Sequence, residues 1–277
     1  MPTLKEIKGR IASVRSTLKI TSAMKLVSSA KLRKAQNAVE ALRPYEAELQ
    51  RALALVMPDP DRASASALVA IASNSALCGG FNANVIAKVR AVRRPGDIVY
   101  SVGRKMADAM RRDGFPSPED FTGLAEHPSY SQAAALVDRL SEDFAAGRIG
   151  SVTLVYTHFV SSARQIPVTE VLLTVTPGPD RASAPVTPGP DRVSPDPIIE
   201  PSREELLGLL YPKVLRLKLY AALLDSAAAE HAARTVAMQT ASDNAENLLS
   251  ELTLQYNKGR QQKITSEILD LAGGQAE

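Results

Sequence analysis

The chain has 277 residues, enough for one large domain or two modest ones, and its 45% hydrophobic and 23% charged residues are typical of a folded, soluble protein. Aromatic residues make up only 4%, tryptophan is absent and the single cysteine, Cys78, excludes an intrachain disulfide. The net charge of +3 is unevenly placed, because residues 1–34 carry nine basic side chains and one acidic one. No apolar run approaches the roughly 20 residues that cross a bilayer, and the N-terminus lacks a signal-peptide pattern.

The first segment predicts one long helix over residues 3–57. Thr3 and Glu6 match a capping box at its start, and Pro58 marks its end. Pro44 predicts a kink. Apolar residues recur at alternating steps of three and four, as in the seam of a coiled coil, at Leu4, Ile7, Ile11, Val14 and Leu18.

The middle of the sequence alternates short apolar runs with helical patterns. This alternation predicts a partly parallel, doubly wound sheet. The strands are expected at 67–72, 97–102, 151–159 and 166–175, and the helices at 82–92, 103–112 and 131–146.

The segment 176–198 holds an internal repeat, TPGPDR, whose proline and glycine content predicts a flexible loop. Ser202 and Glu205 predict a second capping box, opening a short helix that ends before Pro212. A long helix then follows over 212–271. Its seam is expected at Leu217, Ala221, Leu224, Ala228, His231, Thr235, Met238, Ser242, Ala245, Leu249, Leu252 and Tyr256.

Two seams at opposite ends of one chain indicate that the ends pair with each other. The sequence therefore predicts an α/β fold with a long antiparallel coiled coil, in which two terminal helices flank an inserted Rossmann-like domain. We expect the N-terminal coiled-coil helix over 1–60, the α/β domain over 61–201 and the C-terminal coiled-coil helix over 202–277.

No motif in the sequence carries recognisable catalytic chemistry. The segment LCGGFN at 77–82 follows a strand and opens a helix, where phosphate loops lie. It lacks the spaced glycines of a dinucleotide fingerprint and the lysine of a P-loop, which favours a tight turn over a nucleotide site. The histidines at 127, 158 and 231 are too dispersed for a metal site. We expect no cofactor and no metal.

The basic N-terminal helix has three interpretations. It could present a solvated face, contact acidic surfaces of partner proteins, or bind nucleic acid. The last is the weakest, because no aromatic residues are interleaved with the charges. The middle of the C-terminal seam is made of small residues that bury little apolar area. A slim, weakly self-packed helix pair favours enclosure by other chains.

Several segments together resemble the gamma subunit of F-type ATP synthase, the central rotor shaft of that complex. They are KITSAMKLV at 19–27, AKLRKAQ at 30–36, LCGGFN at 77–82, EHAARTVAM at 230–238, SDNA at 242–245, LTLQYNKGRQ at 252–261 and ITSEI at 264–268. The chain departs from the family pattern at 74–76, where Asn-Ser-Ala replaces Asp-Arg-Gly. It also departs at Thr235, where the family usually has Met, and at Gly259, where it usually has Ala.

The resemblance implies a coiled coil enclosed by the alpha and beta subunits, and an α/β foot that meets the epsilon subunit and the membrane c-ring. It implies a peripheral protein on the cytoplasmic face of the bacterial inner membrane, with no direct membrane insertion and no nucleic-acid partner. Catalysis would belong to the beta subunits. Contacts with the alpha/beta ring are implied for Met24, Lys25, Lys31, Arg33, Lys34, Arg260, Gln261, Ile264, Ile268 and Leu271. The foot turn comprises Cys78, Gly79, Gly80, Phe81 and Asn82.

Two other functions stay open at this point. The chain could be a free-standing coiled-coil adaptor that binds an acidic partner without any link to ATP turnover. It could also be a nucleotide-binding enzyme built on the central domain.

Overall fold

The computed structural model describes residues 3–54, 66–174 and 202–273. The predicted loop at 176–198 and the predicted helix end at Pro58 lie outside these residues. The chain divides into two compact units: unit 1 joins Met1–Ala30 to Arg234–Glu277, and unit 2 is Lys31–Ala233. The two unit boundaries fall within the two long helices. The predicted domain bounds at 60 and 201 stay a prediction.

The described elements comprise six helices and four strands, in the order α1–β1–α2–β2–α3–α4–α5–β3–β4–α6. The helices are α1 (Leu4–Ala54), α2 (Phe81–Val92), α3 (Arg104–Arg112), α4 (Thr122–Glu126), α5 (Tyr130–Ala145) and α6 (Arg203–Gly273). The strands are β1 (Ser66–Ile71), β2 (Ile98–Val102), β3 (Ser151–Ser161) and β4 (Arg164–Thr174).

Both predicted capping signals form hydrogen bonds. The Thr3 amide donates to Glu6 Oε2 at 2.8 Å, and the Glu6 amide donates to Thr3 Oγ1 at 3.3 Å, which completes a capping box at α1. At α6, the Glu205 amide donates to Ser202 Oγ at 3.1 Å. Each bond satisfies a backbone N–H that the first helical turn leaves without an intrahelical partner.

In unit 1, the ends of α1 and α6 pair in antiparallel fashion. The hydroxyls of Thr21 and Ser242 lie 2.8 Å apart. A Cβ placed on Gly259 would lie 3.1 Å from Leu4 Cδ2. The separation of Leu4 from Thr21 along α1 equals the separation of Ser242 from Gly259 along α6, and the two run in opposite directions. Both contacts therefore belong to one register of the helix pair.

Burial in unit 1 follows the predicted seams. The α6 seam residues in this unit are buried or half-buried, whereas most positions between them are exposed. The α1 seam extends beyond Leu18 at the same spacing, through Thr21, Lys25 and Ser28 in unit 1 and through Leu32, Ala35, Val39, Leu42, Glu46 and Leu49 in unit 2. Alternating steps of three and four therefore run through α1 as a heptad pattern.

Unit 2 is built on a four-stranded sheet of order β2–β1–β3–β4. Strand β1 pairs in parallel with both β2 and β3, while β4 returns antiparallel to β3. The predicted doubly wound, partly parallel sheet is therefore confirmed. The sheet has a buried cluster on each face. One cluster packs β-strand residues against α5 and α6, including Leu136, Leu154 and Leu219, and the other packs them against α2 and α3, including Val85, Met106 and Val155.

Two helices differ from the prediction: α6 has no break before Pro212, and α4 was not predicted from the sequence. The structure shows one helix, Arg203–Gly273, that continues through Pro212. Proline removes one backbone hydrogen bond, but Tyr211, Leu215 and Leu219 on either side pack on the sheet and hold the helix together. Helix α1 likewise continues through Pro44. Helix α4 has only 5 residues, too few to show a helical period.

Gly103 marks the junction between β2 and α3. Its φ is +93°, and a Cβ there would lie 2.2 Å from the carbonyl oxygen of Ala72. Only glycine fits this position, because both the backbone angle and the close approach exclude a side chain.

Candidate functional site

The predicted contact residues on α1 divide between the two units. In unit 1, Met24 and Lys25 are half-buried, and Lys25 occupies a seam position. In unit 2, Lys31, Arg33 and Lys34 are exposed around the buried Leu32. An exposed cluster of three cations on one helical turn can attract an acidic partner over a Debye length of about 10 Å.

The predicted contact residues near the C-terminal end of α6 lie on its solvent-accessible surface. Arg260 and Gln261 are exposed, and Ile264 and Ile268 are 46% and 59% exposed. The side chain of Leu271 lies outside the described residues. Two exposed isoleucines one turn apart form an apolar stripe that water does not favour.

Unit 1 exposes more large apolar side chains than the sequence reading identified. Leu254 is 73% exposed. The others lie on both helices, at Ile20, Leu26, Val27, Val236, Leu248 and Leu269. All seven lie off the seam positions, which is the signal that could have identified them. Exposed apolar residues in this number indicate a surface that other chains cover.

In unit 2, the foot turn is a hydrogen-bonded turn at the carboxyl end of β1. The Ser73 amide donates to Asn82 Oδ1 at 3.0 Å, and Asn82 Nδ2 donates to Cys78 Sγ at 3.1 Å and to Ser75 O at 3.2 Å. Leu77 has a φ of +65° and its side chain is 60% exposed. A non-glycine residue in the left-handed region is uncommon. The turn therefore holds a large apolar side chain outward at a conformational cost.

Asn74 connects the foot turn to the neighbouring helices. Its Oδ1 accepts a hydrogen bond from the Arg104 amide at 2.9 Å, and its Nδ2 donates to Thr122 O at 2.9 Å. The Arg104 guanidinium donates back to Asn74 O. Asn74 is one of the positions where the chain departs from the family pattern, and its side chain satisfies the Arg104 backbone amide at the start of α3.

Apolar side chains fill the space beside the foot turn where a nucleotide would bind in a doubly wound sheet. In such sheets ligands bind beyond the carboxyl ends of the strands, at the point where strand order reverses. Here Cys78 and Phe81 pack against Ala229 and Ala233 of α6 and against Phe159 of β3. Cys78 is 1% exposed. This packing favours the interpretation of LCGGFN as a structural turn over a phosphate site.

A second polar group of side chains lines a cavity of about 130 Å³ in unit 2. We call it the hairpin cavity, because β3 and β4 form one wall while α1 and α6 form the other. Its charged and titratable lining comprises Arg43, Glu46, Tyr156, His158, Glu170, Lys218 and Asp225. No sequence motif predicted this cavity, since its lining comes from α1, the β3–β4 hairpin and α6, three segments that are distant in sequence.

The two charged residues of α6 in the hairpin cavity bond to different strands. Lys218 Nζ lies 2.9 Å from Glu170 Oε1 and donates to the Val171 carbonyl at 2.7 Å. Asp225 Oδ2 lies 2.5 Å from His158 Nδ1, and its Oδ1 accepts from the Phe159 amide at 3.1 Å. Charge-assisted bonds of this kind are roughly twice as strong as neutral ones.

The electrostatics of the hairpin cavity disfavour additional negative charge. Burial raises the pKa of Glu46 above its ordinary value, and the nearby carboxylates of Glu170 and Asp225 raise it further. Burial and the same carboxylates also raise the pKa of Tyr156, whose hydroxyl donates to Glu170 Oε2 at 3.1 Å. Glu46 occupies an α1 seam position, where a charge is costly to bury.

A third polar cluster joins β2 to α5. The Tyr100 hydroxyl donates to Asp143 Oδ2 at 2.7 Å, and Arg148 pairs with the same carboxylate. Burial, and to a smaller extent this hydrogen bond, raises the pKa of Tyr100 to about 12. Hydrogen bonds from Arg148 and Tyr100 lower the pKa of Asp143. Tyr100 and Arg148 thus both bond to Asp143, which favours a structural role for this cluster.

Within residues 3–54, 66–174 and 202–273, no group of three or more His, Cys, Asp or Glu side chains is placed to hold a metal ion. None of the described helices combines the length and the apolar character that crossing a membrane requires.

Comparison with known proteins gives one consistent result. A family model described as ATP synthase matches residues 3–276. The chain is 45% identical to the ATP synthase gamma chain of Phocaeicola vulgatus and 44% identical to that of Bacteroides thetaiotaomicron, with 99% of each chain covered in both cases. Its fold is similar to a chain in the Euglena gracilis mitochondrial ATP synthase structure of OSCP, F1 and c-ring. That match has a TM-score of 0.72 and 18% identity, and it covers 98% of this chain and 93% of the other.

Proposed function

Because the chain belongs to the ATP synthase gamma chain family, we infer that it forms the central rotor shaft of an F1Fo ATP synthase. In this role the helix pair turns inside a ring of alpha and beta subunits. The α/β unit forms the foot that meets the epsilon subunit and the membrane c-ring. Ion flow through the c-ring turns the shaft, and the turning shaft drives the beta subunits through successive states of ATP synthesis.

One observation carries this proposal beyond family membership. The seam of unit 1 is buried, yet large apolar side chains such as Leu26 and Leu254 point away from it and are exposed. A helix pair that worked alone in water would not present these side chains around its surface. Enclosure by partner subunits covers them and explains why the pair needs only a thin seam.

The proposed contact surface has a basic part and an apolar part. Lys31, Arg33 and Lys34 are exposed on α1, so they can face acidic groups of a beta subunit. Met24 and Lys25 lie on the same helix nearer the N-terminus. Arg260 and Gln261 form a second polar contact, and Ile264, Ile268 and Leu271 lie in an apolar bearing near the end of α6. The foot turn at 77–82 presents Leu77 for a further contact.

The chain itself is proposed to be non-catalytic. The phosphoryl chemistry would reside in the beta subunits, and this chain would change their conformation mechanically. We further propose that it is a peripheral protein on the cytoplasmic face of the bacterial inner membrane, attached through its partners.

Affinity purification of the full chain from native membranes tests the rotor proposal. The rotor function predicts that alpha, beta and epsilon subunits and the c-ring co-purify in fixed proportion. The alternative, a free coiled-coil adaptor, predicts an acidic partner without alpha or beta subunits. Recovery of such a partner alone would overturn the proposal. A variant with Lys31, Arg33 and Lys34 changed to Gln should weaken the alpha/beta association, whereas changing exposed Arg94 and Arg164 in unit 2 to Gln should not.

A further inference from the structure

Helix α6 is attached to the sheet of unit 2 by two kinds of contact. Leu215, Leu219 and Leu223 pack into the apolar core of one sheet face. Apolar contacts are non-directional, so a small rotation of the helix about its own axis disturbs them less than separation of the helix from the sheet does. A helix that transmits torque needs contacts that resist this rotation.

Directional contacts occur in the hairpin cavity. Lys218 and Asp225 are two helical turns apart, which places them on the same face of α6. Lys218 donates to the Val171 carbonyl of β4 at 2.7 Å, and Asp225 accepts from the Phe159 amide of β3 at 3.1 Å. Each also pairs with a charged or titratable side chain of the same strand. The helix is thus bonded to the backbone of two strands by groups of opposite charge.

We propose that Lys218 and Asp225 fix the rotational position of α6 on the β3–β4 hairpin, so that torque passes from the foot to the shaft through these two residues. This inference rests on the rotor function proposed above. Rotation of α6 about its axis would move both side chains along the hairpin together and break four contacts: two with backbone atoms and two with Glu170 and His158.

Because Lys218 and Asp225 are largely buried, water cannot easily replace the hydrogen bonds that they make to the hairpin. The side chains of Lys218 and Asp225 are 20% and 11% exposed. The α1 wall brings Glu46 and Arg43 to the same cavity, and Tyr156 faces it from β3. Loss of the Lys218 ammonium would leave the carboxylates of Glu46, Glu170 and Asp225 less compensated in one small space.

The test uses complete ATP synthase assembled with full-length variants and placed in lipid vesicles. Gradient-driven ATP synthesis and ATP hydrolysis are measured on the same preparation. Lys218→Met keeps the length of the side chain and removes its charge and hydrogen bonds. We expect the ratio of synthesis to hydrolysis to fall by about tenfold, the order of change that one charged hydrogen bond produces. Lys218→Arg, which keeps the cation, should retain most of the wild-type ratio.

Two variants separate this role from a general effect on stability. Lys213→Met removes an exposed cation from the same helix and should leave the ratio unchanged. Asp225→Asn keeps an acceptor for the Phe159 amide and should lower the ratio less than Lys218→Met does. If Lys218→Met lowers the melting temperature but leaves the ratio at the wild-type value, the inference is overturned. If the wild-type chain itself restores no synthesis, the rotor function fails instead.

Discussion

The hydroxyls of Thr21 and Ser242 lie 2.8 Å apart in the buried seam of unit 1. Thr21 Oγ1 also donates to the Leu18 carbonyl at 3.1 Å, so the remaining bond is donated by Ser242 to Thr21. In a seam of otherwise mainly apolar or small residues, this polar pair favours one register of the two helices, because a shifted register would bury both hydroxyls against apolar neighbours.

Thr21→Val should therefore destabilise the full chain by about 1–3 kcal/mol, the cost of leaving a buried hydroxyl without its partner. Adding Ser242→Ala should recover most of that loss, because the orphaned group is then removed. Denaturant unfolding of the single and double variants measures the coupling. Thr17→Val, at an exposed position of the same helix, is the matched control and should have little effect. Additive effects of Thr21→Val and Ser242→Ala would contradict this account.

Gly103→Ala should destabilise unit 2 by about 3 kcal/mol or more, since the new Cβ both adopts a strained backbone and collides with a carbonyl. Gly96→Ala is the control, because Gly96 has a similar φ of +91° but no atom within 4 Å of the added Cβ. That variant should lose only about 1 kcal/mol. Thermal unfolding of both variants measures the difference, and equal losses would show that the contact with Ala72 is unimportant.

Gly259→Ala should stabilise the helix pair by up to about 1 kcal/mol, because alanine favours a helix interior over glycine. The new Cβ would lie 3.1 Å from Leu4 Cδ2, the movable end of a flexible side chain, so crowding should offset only part of the gain. Amide hydrogen exchange around residue 259 should slow in the variant. Faster exchange there would mean that Leu4 cannot move aside.

Glu46→Gln should stabilise the full chain near neutral pH. The folded chain raises the pKa of Glu46 above its ordinary value of 4.5, so the native state holds this proton to higher pH than the unfolded state. The contribution of Glu46 to wild-type stability therefore falls as pH rises from 4.5 toward its folded pKa, whereas the glutamine variant lacks this loss. The advantage of the variant should shrink below pH 4.5. Glu40→Gln, at an exposed position of the same helix, is the matched control and should change the free energy of unfolding little.

The sequence predicted the elements whose periodicity is long or strongly apolar. The α6 seam and the strand around Val69 could be predicted because their buried positions carry apolar or small residues at the spacing of a helix or strand. The apolar pattern of α1 predicts the seam only to Leu18, since Thr21, Lys25, Ser28 and Glu46 are polar and interrupt it. Pro212 predicts a helix boundary because proline disfavours a helix interior, but packing of its neighbours on the sheet overrides this local preference.

The candidate site was less predictable, because its parts depend on tertiary contacts. Family motifs suggested positions such as Lys31 and Arg260, whereas the exposure of Leu254 is indicated only by its place off the α6 seam. The hairpin cavity was not predicted at all. Lys218 and Glu170 are far apart in sequence, and neither belongs to a recognisable motif. Only the pairing of β3 with β4 and the position of α6 bring them together.

The most direct test of the rotor function is reconstitution of the alpha and beta subunits with and without this chain. Steady-state ATP hydrolysis is the measurement, because it requires the catalytic sites to pass through successive conformations. We predict that adding the full chain raises the sustained hydrolysis rate severalfold over that of alpha and beta subunits alone. An unchanged rate, with the chain stably bound, would contradict the account.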